Sequence, residues 1–260
     1  RTLYIQYNWD SESQSLVPSG KLEISYDENG NITLEIEYNW DSESQSFVPS
    51  GKYEYSYDEN ENRTLYIRYS WDSESQSFVP SGKLETSYDE NGNQTLYIDY
   101  NWDSESQSFV PSQKGETSYD ENGNEILYIR YSWDSESQSL VPEVKLEISY
   151  DENGNQTLYI GYNWDSESQS FVLSQKEESS YDENENPTLY IRYYWDSESQ
   201  SLVPEVKVEF SYDENGNQTL YIGYYWDSES QSFVLSQKLE SSYDENGNQT
   251  LYIGYNWDSE

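Results

Sequence analysis

Residues 21–40 read Lys-Leu-Glu-Ile-Ser-Tyr-Asp-Glu-Asn-Gly-Asn-Ile-Thr-Leu-Glu-Ile-Glu-Tyr-Asn-Trp, and this stretch decides the fold. Leu22, Ile24 and Tyr26 alternate with Lys21, Glu23 and Ser25; beyond Asp27-Glu28-Asn29-Gly30, the residues Leu34, Ile36, Tyr38 and Trp40 alternate with polar neighbours. Period-two alternation on both sides of a turn sequence is the pattern of a half-buried β-hairpin. The turn residues suit a type I turn closed by a glycine in the left-handed region. A register with Asp27 facing Asn31 sets Ile24 opposite Leu34 and Leu22 opposite Ile36, which gathers the large apolar side chains on one face.

The hairpin is copied. Tryptophans stand at 9, 40, 71, 102, 133, 164, 195, 226 and 257, a spacing of 31 residues with no insertion. Fixed-period self-similarity of this kind implies a quasi-one-dimensional array in which each unit contacts mainly its neighbours. Residues 1–260 are therefore expected to be a single tandem array of about eight 31-residue repeats, from Trp9 to Trp257. The sequence opens inside one repeat and closes inside another, with no polar capping unit, so the expectation is a segment of a longer chain.

Each repeat holds one strand around Thr-Leu-Tyr-Ile-x-Tyr-x-Trp and one around Lys-x-Glu-x-Ser-Tyr. Two connections alternate: the Asp-Glu-Asn-Gly-Asn turn, and Asp-Ser-Glu-Ser-Gln-Ser, in which Asp10 to Ser13 form a short polar loop. By parity the apolar face runs through Leu3, Ile5, Tyr7, Trp9, Leu16, Leu22, Ile24 and Tyr26. Position 18 is Pro or, at Leu173 and Leu235, Leu. The missing N–H of Pro18 predicts a bend or bulge there. The opposite face is expected to carry Tyr4, Tyr66 and Tyr97 together with Lys21, Glu23 and Ser25. That register pairs Glu23 with Glu35 and Lys52 with Arg68, two like-charge contacts, while Glu54 meets Tyr66 and Lys83 meets Asp99. Gly30 is replaced by Glu61 and Glu185 in two copies of the turn, where the left-handed position loses its glycine.

The fold class expected is all-β: tandem hairpin repeats forming a continuous antiparallel meander that advances ~9.6 Å per repeat. An isolated flat ribbon would expose more apolar surface than soluble monomers carry, so the sheet is expected to curl, to stack, or to pair with another chain into a fibre-like array.

Composition narrows the function. The formal charge is -38, yet aromatic residues make up 17% of the chain, enough to offset the entropy of ordering. Nucleic acid and anionic membrane surfaces are excluded as partners by charge repulsion. No apolar run is long enough for a membrane helix, so no membrane insertion is expected. Cys and His are absent, which removes disulfides, Cys–His zinc sites and His-based catalysis. Carboxylate pairs recur identically in every copy, whereas an active site needs differentiated environments. A non-enzymatic protein with no required cofactor is expected.

Three kinds of binding position stand out. Asp27, Asn29 and Asn31, with their repeat equivalents, have the oxygen spacing of part of a calcium loop but no closing bidentate Glu. With Asp10 and Glu12 they are the candidate Ca2+ ligands, lining two acidic edges; the alternative, which the residue types favour, is ordinary turn capping. Asn31, Asn62, Asn93, Asn155, Asn217 and Asn248 each begin an Asn-x-Thr acceptor for covalent glycan, although a turn Asn followed by a strand Thr generates the same pattern without one. Ser11, Ser13 and Ser15 offer an O-glycan loop. Tyrosine rows on the polar face could stack on glycans, while their structural reading is that they stiffen the sheet.

The segment Tyr88 to Thr95, Tyr-Asp-Glu-Asn-Gly-Asn-Gln-Thr, resembles the Tyr-Asp-x-x-Gly core of bacterial YD (Rhs-type) repeats. The match covers about eight residues in each repeat, with the Trp-Asp-Ser-Glu-Ser-Gln-Ser half outside it. That resemblance implies long sheets of hairpins that wind into a shell, often around a toxin. The whole repeat is similar to tandem repeats of large secreted or surface-attached bacterial proteins, which implies an extracellular or cell-surface location. The function expected is a structural fibre or stalk, self-associating or continuing into a filament. The alternatives are a toxin-enclosing β-shell and a multivalent adhesin that holds glycan or calcium.

Overall fold

The computed structural model describes residues 1–257; residues 258–260 of the expected array lie outside the described residues. The described residues form seventeen strands and no helix. The first are β1 (Thr2–Asp10), β2 (Ser15–Tyr26), β3 (Ile32–Asp41) and β4 (Ser46–Tyr57), and the series ends with β17 (Gln249–Asn256). Two compact units divide the chain. One comprises Arg1–Thr117 with Arg130–Val141, and the other comprises Ser118–Ile129 with the chain from Pro142 onward. In the first unit the strands pair antiparallel in chain order from β1 to β8 (Ser108–Tyr119). In the second they do so from β10 (Ser139–Tyr150) to β17. This is the all-β hairpin meander that the alternation predicts. Within each unit the strands pack on their sequence neighbours as one layer.

Both turns form at every described copy of the repeat. In the first, Asp27 N donates to Asn31 O at 2.9 Å and Gly30 adopts φ +95°. Glu61 and Glu185 occupy the same left-handed position at φ +67° and +65°, so the turn survives loss of its glycine. In the second turn, Gln14 takes φ +52°, as do its copies within two degrees. The bend is held by Asp10, whose carboxylate accepts from Glu12 N at 3.0 Å and Ser13 Oγ at 2.7 Å. A capping aspartate thus compensates for a backbone region that a side chain other than Gly, Asn or Asp enters at some cost.

The register differs from the sequence expectation. Tyr26 pairs with Ile32 as the turn requires, but Ser25 pairs with Leu34, and Ile24 then meets Glu35 and Leu22 meets Glu37. One residue, Thr33, is bulged out, and a one-residue slip sends a strand's side chains to the opposite face. A second bulge falls at Ser19, between the Gln6–Gly20 and Tyr7–Pro18 pairs. This is where Pro18 predicts an irregularity. The bulge also forms beside Leu173 and Leu235, so the proline ring is not its only cause.

The two bulges correct the face assignment. One face carries Leu3, Ile5, Tyr7, Trp9, Leu16 and Pro18 as expected, but with Lys21, Glu23 and Ser25 in place of Leu22, Ile24 and Tyr26. The other carries Leu22, Ile24 and Tyr26 with Tyr4. The expected Glu23–Glu35 and Lys52–Arg68 contacts do not occur: Glu23 meets Ile36 and Lys52 meets Tyr69. Nor do the Glu54–Tyr66 and Lys83–Asp99 pairs, since Glu54 meets Ile67 and Lys83 meets Tyr100.

Sorting the repeats by the observed faces separates them sharply. On the first face, Leu, Ile, Tyr, Trp, Lys, Glu and Ser recur unchanged, with only Leu/Phe and Pro/Leu exchanges at positions 16 and 18 and their copies. Most substitutions fall on the second face, where position 22 varies through Leu22, Tyr53, Gly115, Glu177 and Val208, and position 24 through Ile24, Tyr55, Thr86 and Phe210. We refer to them as the uniform and the varied face. Side chains on the varied face compensate for one another: the ring of Tyr97 lies over Gly115, where an added Cβ would stand 2.2 Å from its Cε1.

The left-handed turn position yields a direct test. A Cβ on Gly92 would meet nothing nearer than Asn62 Oδ1 at 3.8 Å, so its φ of +86° alone sets the cost of a side chain there. Gly92→Ala should destabilise by about 1 kcal/mol, and Glu61→Gly should stabilise by up to about 1 kcal/mol, measured by urea titration of the same chain.

Candidate functional site

The bulges bring together a cluster that the unbulged register keeps apart. Lys21 Nζ lies 3.0 Å from Glu23 Oε1 on its own strand and 3.5 Å from the centroid of the Tyr38 ring on the next. Tyr38 OH donates to the second oxygen of Glu23 at 3.3 Å. Each member thus satisfies the other two: the ammonium sits on the negative face of the ring, and one carboxylate takes both the ammonium and the phenol.

The cluster recurs around every lysine of the chain. In the first unit, Lys83 Nζ is 2.7 Å from Glu85 and 3.8 Å from the Tyr100 ring, and Tyr100 OH is 2.7 Å from Glu85. Lys114, Glu116 and Tyr131 repeat the arrangement at 2.7, 4.5 and 2.7 Å. In the second unit, Lys145, Glu147 and Tyr162 do so at 2.8, 3.9 and 2.8 Å, and the series runs to Lys238, Glu240 and Tyr255. Beside it, Trp40 meets Phe47 edge to face at 5.1 Å, a contact repeated at Trp71–Phe78, Trp102–Phe109, Trp164–Phe171 and Trp226–Phe233. Such aromatic pairs contribute beyond their buried area.

Titration behaviour follows the geometry. Hydrogen bonds from Lys145 and then Tyr162 hold the Glu147 carboxyl below its ordinary range. Burial, then the hydrogen bond to Glu and its charge, push Tyr69, Tyr100, Tyr131, Tyr162 and Tyr193 up to about 12.

The sequence-predicted ligand residues lie at the two turns. Asp27 Oδ1 accepts from Asn29 N at 3.0 Å and Asn31 N at 2.8 Å, and its Oδ2 accepts from Asn31 Nδ2 at 3.2 Å. Asp10 is engaged likewise with the Glu12 and Ser13 amides and the Ser13 hydroxyl. Both oxygens of each aspartate are used within its own turn, as in the turn-capping reading. The Asn93 side chain and backbone hold Asp89 below the ordinary carboxylate range. Among the described residues no three acidic side chains converge as a metal site. The glycan-acceptor amides of Asn31, Asn62, Asn93, Asn155, Asn217 and Asn248 donate to the turn aspartate at 3.0–3.2 Å, so each is a working part of its turn.

Tyrosines of the varied face pack within the sheet. Tyr53 and Tyr55 stack on Tyr66 at 6.0 and 5.3 Å, and Tyr55 OH donates to Glu35 at 2.5 Å. In the second unit, the Arg192 guanidinium of the varied face forks onto Glu205 at 2.7 and 3.0 Å.

No family model matches the chain, and no curated protein matches it. Among solved structures it is similar to a protein of unknown function from Bacteroides fragilis, at 21% identity over 50% of this chain and 91% of that one, with a TM-score of 0.40. A DUF3836 family protein from Bacteroides vulgatus aligns at 19% identity over 35% of this chain and 89% of that one, with a TM-score of 0.29. The TcdB2-TccC3 structure aligns at 12% identity with 96% of this chain and 18% of its own, with a TM-score of 0.31.

Two measurements test the cluster. Tyr100→Phe keeps the ring beneath Lys83 and removes only the hydrogen bond to Glu85, and should cost about 1 kcal/mol. Combined with Lys83→Met in a double-mutant cycle, it should show a coupling of roughly 0.5–1 kcal/mol through the Glu85 carboxylate that the phenol and the ammonium share. The second is alkaline unfolding. A phenol whose folded pKa is raised stabilises the fold fully below the unfolded value of about 10, and that contribution disappears as pH rises through the folded value. The array should therefore lose its β signal in circular dichroism between pH 10 and about 12, together with the appearance of tyrosinate absorbance.

Proposed function

We propose that this chain is a non-enzymatic structural protein whose repeats supply length to a bacterial extracellular fibre or cell-surface stalk. The reading is supported above all by one observation. The Lys-Glu-Tyr cluster is built only from adjacent strands and is reproduced around all eight lysines, so each added repeat brings its own stabilising contacts. Stability in such an array is a sum of repeat and neighbour contributions, and length can grow without redesign. The acidic turns at both ends of the strands add repulsion that opposes non-specific association of neighbouring arrays.

Electron microscopy of the native material tests this reading. Long filaments with an axial repeat near ~9.6 Å are expected from two strand spacings per repeat. A compact hollow particle would overturn it in favour of an enclosing shell.

A further inference from the structure

The uniform face lacks a covering layer within either unit. Among the described residues the two buried apolar ones, Ile24 and Val208, both belong to the varied face, while Leu, Ile, Tyr and Trp of the uniform face stay partly exposed. We infer that the uniform face is a self-complementary interface, and that its occupant is the uniform face of a second copy of this chain. The inference rests on the structural role proposed above and identifies the surface through which the material assembles.

Charge points to this partner. A chain of net charge -38 repels its own copies, so two copies can meet only where that charge is absent. On the uniform face every lysine is matched by the glutamate two residues on, at 2.5–3.0 Å. The remaining acids stand in the turns, at the bulges and on the varied face, as at Asp27, Glu28, Glu205, Glu35 and Glu37. Because each ammonium and carboxylate is already paired and lies against a tyrosine ring, covering them leaves no charge without a partner.

Shape and extent agree with charge. The lysine heads are folded onto the rings, with side chains 18–32% exposed, and their glutamates are 16–42% exposed, so the face presents aromatic and aliphatic rows interrupted by carboxylates that are each paired with a lysine. Those rows carry the same period in both copies and match themselves under a two-fold axis. With two strands ~4.8 Å apart and roughly 30 Å long, each repeat offers about 300 Å². The four hairpins of β1 to β8 alone then present about 1,200 Å² per partner, above the ~800 Å² of a standard stable interface. Sheets stacked face to face lie about 10 Å apart, which residues of this size fill.

The tryptophans provide the readout, since those at 9, 40, 71, 102, 164, 195 and 226 pair with Leu or Phe on this face. Sedimentation of the purified chain should show a concentration-dependent doubling of mass. Over the same range, tryptophan emission should shift to the blue and acrylamide quenching should fall. Ile67→Lys with Ile98→Lys, which sets unpaired charges on the uniform face, should weaken the dimer by at least about tenfold. The matched Ser70→Lys with Asn101→Lys on the varied face should leave dimerisation within about twofold of the parent. A chain that stays monomeric, or a mass doubling with unchanged tryptophan emission and quenching, overturns the inference. The wild-type fluorescence decides the question even if the isoleucine variant fails to fold. Filaments whose tryptophans remain open to acrylamide would overturn the interface while leaving the structural role standing.

Discussion

The structure depends on the contact between a lysine, the glutamate beside it and a tyrosine on the next strand. A sheet one layer thick cannot rely on a closed core, and among its described residues none has a fully buried side chain. Cohesion has to come from pairs formed across neighbouring strands and from the backbone ladder. A lone surface ion pair contributes little. Here the ion pair is half-buried, anchored on an aromatic face and completed by a phenolic hydrogen bond, so each group limits the freedom of the others.

The bulges make that contact available. A regular register between β2 and β3 would set leucine and isoleucine opposite one another and leave lysine and glutamate to face a varied set of partners, including Glu35 and Arg68. One extra residue at Thr33 and another at Ser19 exchange the two faces of the lysine strand relative to its neighbours. Apolar-to-apolar matching is given up along half the strand. In return, each lysine has a fixed acidic partner and a fixed ring, an arrangement copied down both units.

That exchange also gives the two faces different tasks. The uniform face is made of positions that never vary beyond Leu/Phe and Pro/Leu, which is what a face requires when each unit must match the next. The varied face tolerates Gly, Glu, Thr, Val, Phe and Tyr at equivalent positions because its rings can lie down over gaps, as Tyr97 does over Gly115. The turns stand apart from both, with Asp10 and Asp27 spending their oxygens on local donors, so the dense negative charge at the strand ends serves first to fold the bends.

Much was legible in the residues alone. The 31-residue spacing of tryptophan, the period-two alternation and Asp-Glu-Asn-Gly determined the all-β class, the repeat, the strands and both turns, because these depend on neighbours in sequence. The irregularity at Pro18 was legible for the same reason. The Lys-Glu-Tyr cluster left only a faint trace, an unvarying Lys-x-Glu followed at a fixed distance by Tyr, and parity counted without bulges assigned its lysine and glutamate, though not its tyrosine, to the wrong face. Which side chains share a face is a property of pairing between strands, and a single unpaired residue reverses it without altering the hydrophobic pattern along the chain. The elements therefore belonged to the sequence, whereas the faces, and with them the site, were decided only when the strands came together.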